Sequence, residues 1–243
     1  MKLYGYIVQS YWGPRRETPK SIARRFLRLV DGLAPIDPAF GQWICALDDK
    51  PILLEDLRNE MAEVVERNVA RADDGKPEPI YGYSVTVAST LDSTPRRIAI
   101  HALAGAWHDG HFYINSVDIE TSRREVPDPA IVTYTIFRSA LLVLAETFDV
   151  TWCSAYPRDI MLLWKDEIFR LGWMSYVSPR FAPLITPPKS AIVEYRPNGA
   201  LFMAATDETF VTSNPEHLAV AREIRAAIAP LNALPWPPDA EPE

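Results

Sequence analysis

The change of pattern between residues 4 and 43 constrains the fold of this chain more than any other feature. Residues 4–12 form an apolar, aromatic run rich in Tyr, Ile and Val, which predicts a β-strand. A Gly-Pro pair interrupts the run. Thr18 and Pro19 then predict the start of a helix, because threonine caps helices and proline suits the first helical position. A strand followed by an amphipathic helix favours helices packed on a sheet.

The remaining hydrophobic pattern extends this arrangement along the chain. The first helix is expected to stop near Gly32, and Asn214 is expected to cap the last one. Strands and helices alternate without a regular βαβ order, so we predict an α+β fold, with a mixed or antiparallel sheet and helices packed on it. The other predicted helices are 52–69, 128–148, a short one in 157–169, and 215–231; the other predicted strands are 43–47, 83–90, 97–107, 111–119, 150–155, 172–176, 191–195 and 200–204.

The chain contains neither an internal repeat nor a linker long enough to require two domains. We therefore predict one domain over residues 1–234, followed by a flexible, proline-rich, acidic tail over residues 235–243.

Composition and charge limit the function. The net charge is -7, with an isoelectric point near 5.2, and nucleic-acid binding normally needs a basic surface, so no nucleic-acid partner is predicted. The longest purely apolar run is 140–145, which predicts no membrane span, and the N-terminus lacks a signal-peptide pattern. A cytoplasmic location is expected. Cys45 and Cys153 lie in apolar surroundings and are predicted to be buried free thiols.

The sequence contains none of the common catalytic or cofactor motifs. A nucleophile elbow and a phosphate-binding glycine loop are both missing, and neither cysteine has a histidine nearby in sequence. His108 and His111 flank Asp109 at a spacing that allows a metal site, but an Asp-Gly hairpin turn explains these residues more simply. We predict no catalytic residue, no metal and no cofactor. An enzyme with an unrecognised small-molecule site, or a scaffold subunit, stays open as the alternative.

The segment 46–80 is strongly acidic, with ten Asp or Glu residues against five Lys or Arg residues, a local net charge of -5. A solvated helix face explains such a charge run in most proteins. The functional alternative is electrostatic complementarity to a basic protein, which speeds association and narrows partner choice. The carboxylates predicted to contribute to this surface are Asp48, Asp49, Glu55, Asp56, Glu60 and Glu63.

The large aromatic residues allow two interpretations. Tryptophan and tyrosine bury a large area and are usually core residues, but they are also enriched at protein interfaces. This choice stays open for Trp12, Trp43, Trp107, Trp173 and Tyr176. The basic face of the first helix, with Lys20, Arg24, Arg25 and Arg28, is predicted to be a solvated surface.

Five short motifs recur in the pattern of one known family. They are Tyr11-Trp12-Gly13 with Arg15 or Arg16 and Glu17; Asp37-Pro38 with Phe40 and Trp43; Gly172-Trp173-Met174-Ser175-Tyr176; Asn198-Gly199-Ala200; and Asn214-Pro215-Glu216-His217. Together they resemble the motifs of the immunity protein 52 family. The resemblance covers residues 4–231. Two features depart from the family pattern: Ala200 stands where a second glycine is common, and two arginines compete for one arginine position.

The resemblance implies that this protein is a bacterial antitoxin, the partner of a polymorphic or type VI secreted toxin encoded beside it. It implies that the protein binds a nuclease-type toxin of the restriction-endonuclease-like class in the cytosol and neutralises it without catalysis. A basic nuclease cleft would suit an acidic partner. The partner-binding residues predicted on this basis are the signature residues Trp12, Arg15, Arg16 and Trp43, together with the six carboxylates of segment 46–80.

Overall fold

The computed structural model describes residues 4–47, 50–108, 115–164, 172–229 and 231. In this part of the chain, ten strands form one sheet in the order β3-β2-β4-β5-β6-β1-β7-β8-β10-β9, and all neighbouring strands are antiparallel. The predicted α+β class is thereby confirmed. The strands are β1 (Tyr6–Trp12), β2 (Ile44–Leu47), β3 (Lys50–Leu53), β4 (Tyr83–Ala88), β5 (Ile98–Ala104), β6 (Asn115–Thr121), β7 (Trp152–Pro157), β8 (Met174–Val177), β9 (Ile192–Tyr195) and β10 (Leu201–Ala204).

Two long helices pack together against the middle of the sheet. The helices are α1 (Pro19–Leu33), α2 (Leu54–Leu57), α3 (Met61–Arg67), α4 (Tyr134–Phe148) and α5 (Pro215–Ile228). Helix α4 contacts β1, β7, β8 and α1, and α1 also contacts α3. Most of the apolar side chains of α4 are buried, as its nearly continuous apolar surface predicts.

The first helix begins and ends close to where the sequence predicts. Thr18 Oγ1 accepts a hydrogen bond from the backbone N–H of Ser21 at 3.2 Å, which is the predicted cap. Helix α1 ends at Leu33, one residue after Gly32, so the predicted stop near Gly32 is confirmed. A Cβ atom at position 32 would lie 2.7 Å from Cγ1 of Val143. The glycine therefore also allows the close approach of α1 to α4.

The predicted helix over residues 52–69 is wrong at its start and in its continuity. Ile52 and Leu53 belong to β3, where they pair with Cys45 and Ile44 of β2. Helix α2 begins only at Leu54, whose backbone N–H donates to the Trp43 carbonyl at 2.9 Å. A 3-10 turn then separates α2 from α3. The apolar stripe is nevertheless real, because its members Leu54, Leu57, Met61, Val64 and Val65 are all buried.

Two other helix boundaries differ from the prediction. Helix α4 begins after Thr133, whose Oγ1 accepts a hydrogen bond from the Ile136 N–H at 3.3 Å, rather than at residues 128–129. Residues 158–162 form a 3-10 turn instead of an α-helix, and residues 165–171 lie outside the described part of the chain. The predicted turn at 109–110, with His111, and the tail 235–243 lie outside it as well.

The pairing of the last strands follows the prediction closely. Strands β9 and β10 are antiparallel, joined by a turn with Gly199 at φ +87°. The N–H of Ala200 donates to Asn198 Oδ1 at 3.0 Å, and the φ of Ala200 is not positive, so alanine suits the position where a second glycine is common. Asn214 caps α5 as predicted, through a 2.9 Å hydrogen bond from the Glu216 N–H.

The described residues contain no helix long and apolar enough to cross a membrane. Both cysteines are buried and free, as predicted.

Candidate functional site

The signature around Trp12 forms a buried corner between β1, α1 and the end of α4. Trp12 is 2% exposed, and its ring packs on Phe148 with 5.3 Å between ring centroids. The guanidinium carbon of Arg15 lies 5.2 Å from the centroid of the Trp12 ring, and Nη2 donates to the Phe148 carbonyl at 2.8 Å. That carbonyl belongs to the last turn of α4, where the helix leaves acceptors without intrahelical donors. A cation there also opposes the negative end of the helix dipole.

Glu17 joins two arginines at this corner. Its side chain is 5% exposed and lies 3.3 Å from Nε of Arg15 and 3.1 Å from Nε of Arg25. Arg25 Nη1 also donates to the Phe148 carbonyl at 3.2 Å. Arg25 was predicted to belong to a solvated basic face, and this was wrong because its guanidinium turns inward to Glu17. The acidic neighbour Glu17 in the signature was the available signal for this contact.

Arg16 differs from Arg15 in its exposure and in its contacts with other segments. It is exposed, and its guanidinium carbon lies 5.0 Å from the centroid of the Trp107 ring. Of these two arginines only Arg15 contacts the carbonyl end of α4, which favours Arg15 for the arginine position of the motif.

Asn115, which the sequence did not single out, anchors the segment that follows β1. Its side chain is fully buried, and Nδ2 donates to the carbonyls of Gly13 at 2.7 Å and Ala106 at 3.0 Å. Oδ1 accepts from the Ala106 N–H at 2.9 Å. This asparagine forms hydrogen bonds with the backbone of two segments, and only the tertiary structure shows that it lies beside both.

The second signature, from Asp37 to Trp43, connects α1 with β2. Asp37 Oδ1 accepts from the Ala39 N–H at 2.8 Å and thereby caps a 3-10 turn. Phe40 and Trp43 are 3% and 5% exposed, and their ring centroids are 6.2 Å apart. These residues form the inner wall of an open groove.

The groove lies between the end of α1 and the start of α2, and it offers about 360 Å³ of space. That is near the lower end of the roughly 300–1,000 Å³ that is common for small-molecule sites. Its apolar lining consists of Val30, Ala34, Phe40, Trp43, Leu53 and Leu54.

Charged side chains line the same groove. Arg58 Nε donates to Glu55 Oε2 at 2.7 Å, and Arg58 Nη1 donates to Asp31 Oδ2 at 3.3 Å. The Glu55 side chain is 78% exposed, and that of Asp31 is 55% exposed. The groove therefore places an exposed carboxylate on either side of Arg58. Neither Arg58 nor Asp31 was predicted as a site residue, because they are 27 positions apart and meet only when α2 folds against α1.

The predicted acidic surface is exposed on α2, the 3-10 turn and α3. Glu55, Asp56, Glu60 and Glu63 all lie at the surface. Asp48 and Asp49 lie outside the described residues. Of these four carboxylates, Glu55 lines the groove, and the other three follow it along α2, the 3-10 turn and α3.

Burial separates the predicted site residues into two groups. Trp12 and Trp43 are 2% and 5% exposed, so neither ring offers an extended contact surface to a partner, although Trp43 lines the wall of the groove. Their burial favours the structural interpretation of these two residues. The exposed carboxylates and Arg16 are accessible in the folded chain.

A polar cluster on the central strands contains two carboxylates with opposite behaviour. Burial raises the pKa of Asp118 to about 7, although Gln9 Nε2 donates to its Oδ2 at 3.3 Å. Burial also acts to raise the pKa of Glu120. Hydrogen bonds and charge interactions with His101, Arg123 and Arg158 have a larger opposite effect and lower this pKa to about 2.

This cluster predicts a pH dependence of stability. Folding raises the pKa of Asp118, so the contribution of its carboxyl group to the free energy of unfolding is complete at pH values below the ordinary pKa of aspartate. This contribution is lost as the pH rises through about 7. The contribution of Glu120 is present above its ordinary pKa and is lost only as the pH falls through about 2. Between pH 5 and pH 8 we therefore expect the free energy of unfolding to fall by on the order of 2–4 kcal/mol. Urea unfolding across this range measures the effect.

The Asp118→Asn variant should be nearly independent of pH over the same range. The exposed Asp56→Asn variant is the matched control and should retain the wild-type slope. Equal slopes for wild type and Asp118→Asn would contradict the prediction.

The metal site considered at residues 108–111 falls largely outside the described chain. Elsewhere, in the part that the structure describes, no group of three or more His, Cys, Asp or Glu side chains is arranged to hold a metal ion.

Comparison with known proteins identifies the family of this chain. The sequence profile of a family described as Immunity protein 52 matches residues 4–233, which is nearly the whole described chain. The chain belongs to the immunity protein 52 family. The suspected resemblance is thereby confirmed, and both structural signatures lie within the matched region of this immunity-family chain.

A solved structure shares the fold of this immunity protein 52 family member. The Pseudomonas aeruginosa T6SS protein PA0821 superposes with a TM-score of 0.53 at 10% sequence identity, covering 93% of this chain and 73% of that chain. At this identity the similarity concerns the fold alone. No protein with a curated functional description matches the chain.

Proposed function

We propose that this protein neutralises a cognate secreted toxin of the nuclease type, of the restriction-endonuclease-like class, by binding it in the cytoplasm. Membership of the immunity protein 52 family implies binding to a cognate toxin and is the observation that carries the proposal. The similarity to a T6SS protein supports the association with type VI secretion. In this proposal the protein acts by occupancy rather than by catalysis.

The exposed carboxylates of α2 and α3 support a basic partner. A nuclease that binds nucleic acid needs a positively charged cleft. A surface bearing Glu55, Asp56, Glu60 and Glu63 is complementary to such a cleft and would attract it over a distance.

The decisive experiment combines the purified protein with the toxin domain encoded beside its gene, and measures affinity and residual nuclease activity together. We expect a dissociation constant in the nanomolar range or below, with loss of cleavage, because protection requires nearly complete occupancy. Binding with cleavage intact would contradict inhibition of the nuclease. Failure to bind would contradict the proposed function.

Reversing the charge of the acidic surface should slow association. In a Glu55→Lys, Asp56→Lys, Glu60→Lys variant, we expect the association rate constant at low salt to fall by about 10-fold or more. The difference should shrink as salt is added, because screening weakens attraction between exposed charges. Stopped-flow mixing at several salt concentrations measures both effects.

A matched control reverses three exposed acidic residues near the other end of the sheet. The Asp207→Lys, Glu208→Lys, Glu216→Lys variant carries the same change in net charge. It should associate much faster than the acidic-surface variant. Equally slow association of both variants would show that the effect comes from net charge, and would contradict a role of the α2–α3 surface in the interface.

A further inference from the structure

We propose that the groove between α1 and α2 receives a single lysine or arginine side chain from a basic segment of the toxin, with Glu55 as the residue that pairs with its charge. This inference rests on the proposed function and names the anchoring contact within it.

The lining of the groove suits a side chain that is apolar along its stem and charged at its tip. Phe40, Trp43 and Leu54 form a buried apolar wall, and Leu53 is 38% exposed at the edge. Lysine and arginine place their methylene groups along apolar surfaces while the charged end stays near water. An entirely apolar side chain would leave the net negative charge of the groove lining unopposed.

The charges at the groove favour an incoming cation. Asp31 and Glu55 outnumber Arg58, so the lining has a net charge of -1, and Asp56 and Glu60 lie exposed close by in the chain. Arg58 bonds to Asp31 through Nη1 and Nη2 and to Glu55 through Nε. Glu55 can therefore turn to a toxin cation while Arg58 keeps its bonds to Asp31. The exposure of the Glu55 side chain, 78%, leaves it free to do so.

A substitution that fills the groove without disturbing the core tests this inference. Ala34 is exposed and lines the groove, so Ala34→Trp should occupy the space that the toxin side chain needs. Against the toxin domain encoded beside the gene, we expect the dissociation constant to rise by about 30-fold or more. Most of the change should appear in the dissociation rate, as is usual for lost interface contacts. The exposed Ala219→Trp variant on α5 is the matched control and should bind like wild type.

A charge exchange identifies the pairing. Glu55→Lys should weaken binding, and replacing one toxin lysine or arginine by glutamate should restore it by about 10-fold or more, as coupled charge pairs do. Tight binding by wild type together with affinities within about threefold for Ala34→Trp and Glu55→Lys would overturn the groove inference and leave the proposed function intact. If wild type itself does not bind, the proposed function fails, and this inference fails with it.

Discussion

Replacing Trp43 by alanine should lower the free energy of unfolding by about 3–5 kcal/mol. The Trp43 side chain is 5% exposed, it packs against Phe40, and its backbone carbonyl accepts the first hydrogen bond of α2. Truncation removes a large apolar area from the core and leaves a cavity that the surrounding helices can fill only in part. Urea unfolding at constant pH measures the loss.

The matched control is Leu53→Ala at the edge of the same groove. Leu53 is 38% exposed, so its truncation should cost no more than about 1 kcal/mol. Measuring toxin affinity for both variants, under conditions where both are folded, separates stability from binding. A Trp43→Ala variant as stable as wild type would contradict the core assignment and restore Trp43 as a surface contact.

Arg15→Ala should lower the free energy of unfolding by about 2–4 kcal/mol. The change removes a charge-assisted hydrogen bond to the Phe148 carbonyl. Hydrogen bonds to charged groups contribute about 1.5–3 kcal/mol to stability. It also removes the cation over the Trp12 ring and leaves Glu17 with Arg25 as its only described ion-pair partner. Arg25 still donates to Phe148, which keeps the loss below that of a fully orphaned carbonyl.

Arg16→Ala is the control that the chain itself supplies. It removes the same side chain from the next position, but Arg16 is exposed and contacts only the face of Trp107 in the described contacts. We expect a loss of no more than about 1 kcal/mol. Comparable losses for Arg15→Ala and Arg16→Ala, measured by urea unfolding, would contradict the assignment of Arg15 to the motif.

Much of the fold followed from local patterns. The strand β1, the capped start of α1 at Thr18, the β9–β10 hairpin and the cap of α5 at Asn214 all match their predictions. Each of these depends on residues that are close together in sequence, so the pattern contained the necessary information.

The errors arose where distant segments determined the local structure. Residues 52–53 carry a helical pattern but extend β3, because β2 offers them ladder hydrogen bonds. The packing role of Gly32 likewise depends on a distant segment, because the absence of a side chain there allows close contact with α4. Long-range pairing outweighs local helix propensity, which contributes well under 1 kcal/mol per residue for most residue types.

In the candidate site, too, local sequence patterns determined some features and contacts between distant segments determined others. The sequence by itself determined that segment 46–80 is acidic, that α2 and α3 carry an apolar stripe with charges opposite, and that the motifs belong to an immunity family. Only the tertiary structure decided that Trp12 and Trp43 are core residues, that Arg15 rather than Arg16 contacts the end of α4, and that Asp31 and Glu55 meet across Arg58 in a groove. Burial and ion pairing depend on contacts between segments far apart in the chain, and a residue's type and neighbours in sequence do not specify those contacts.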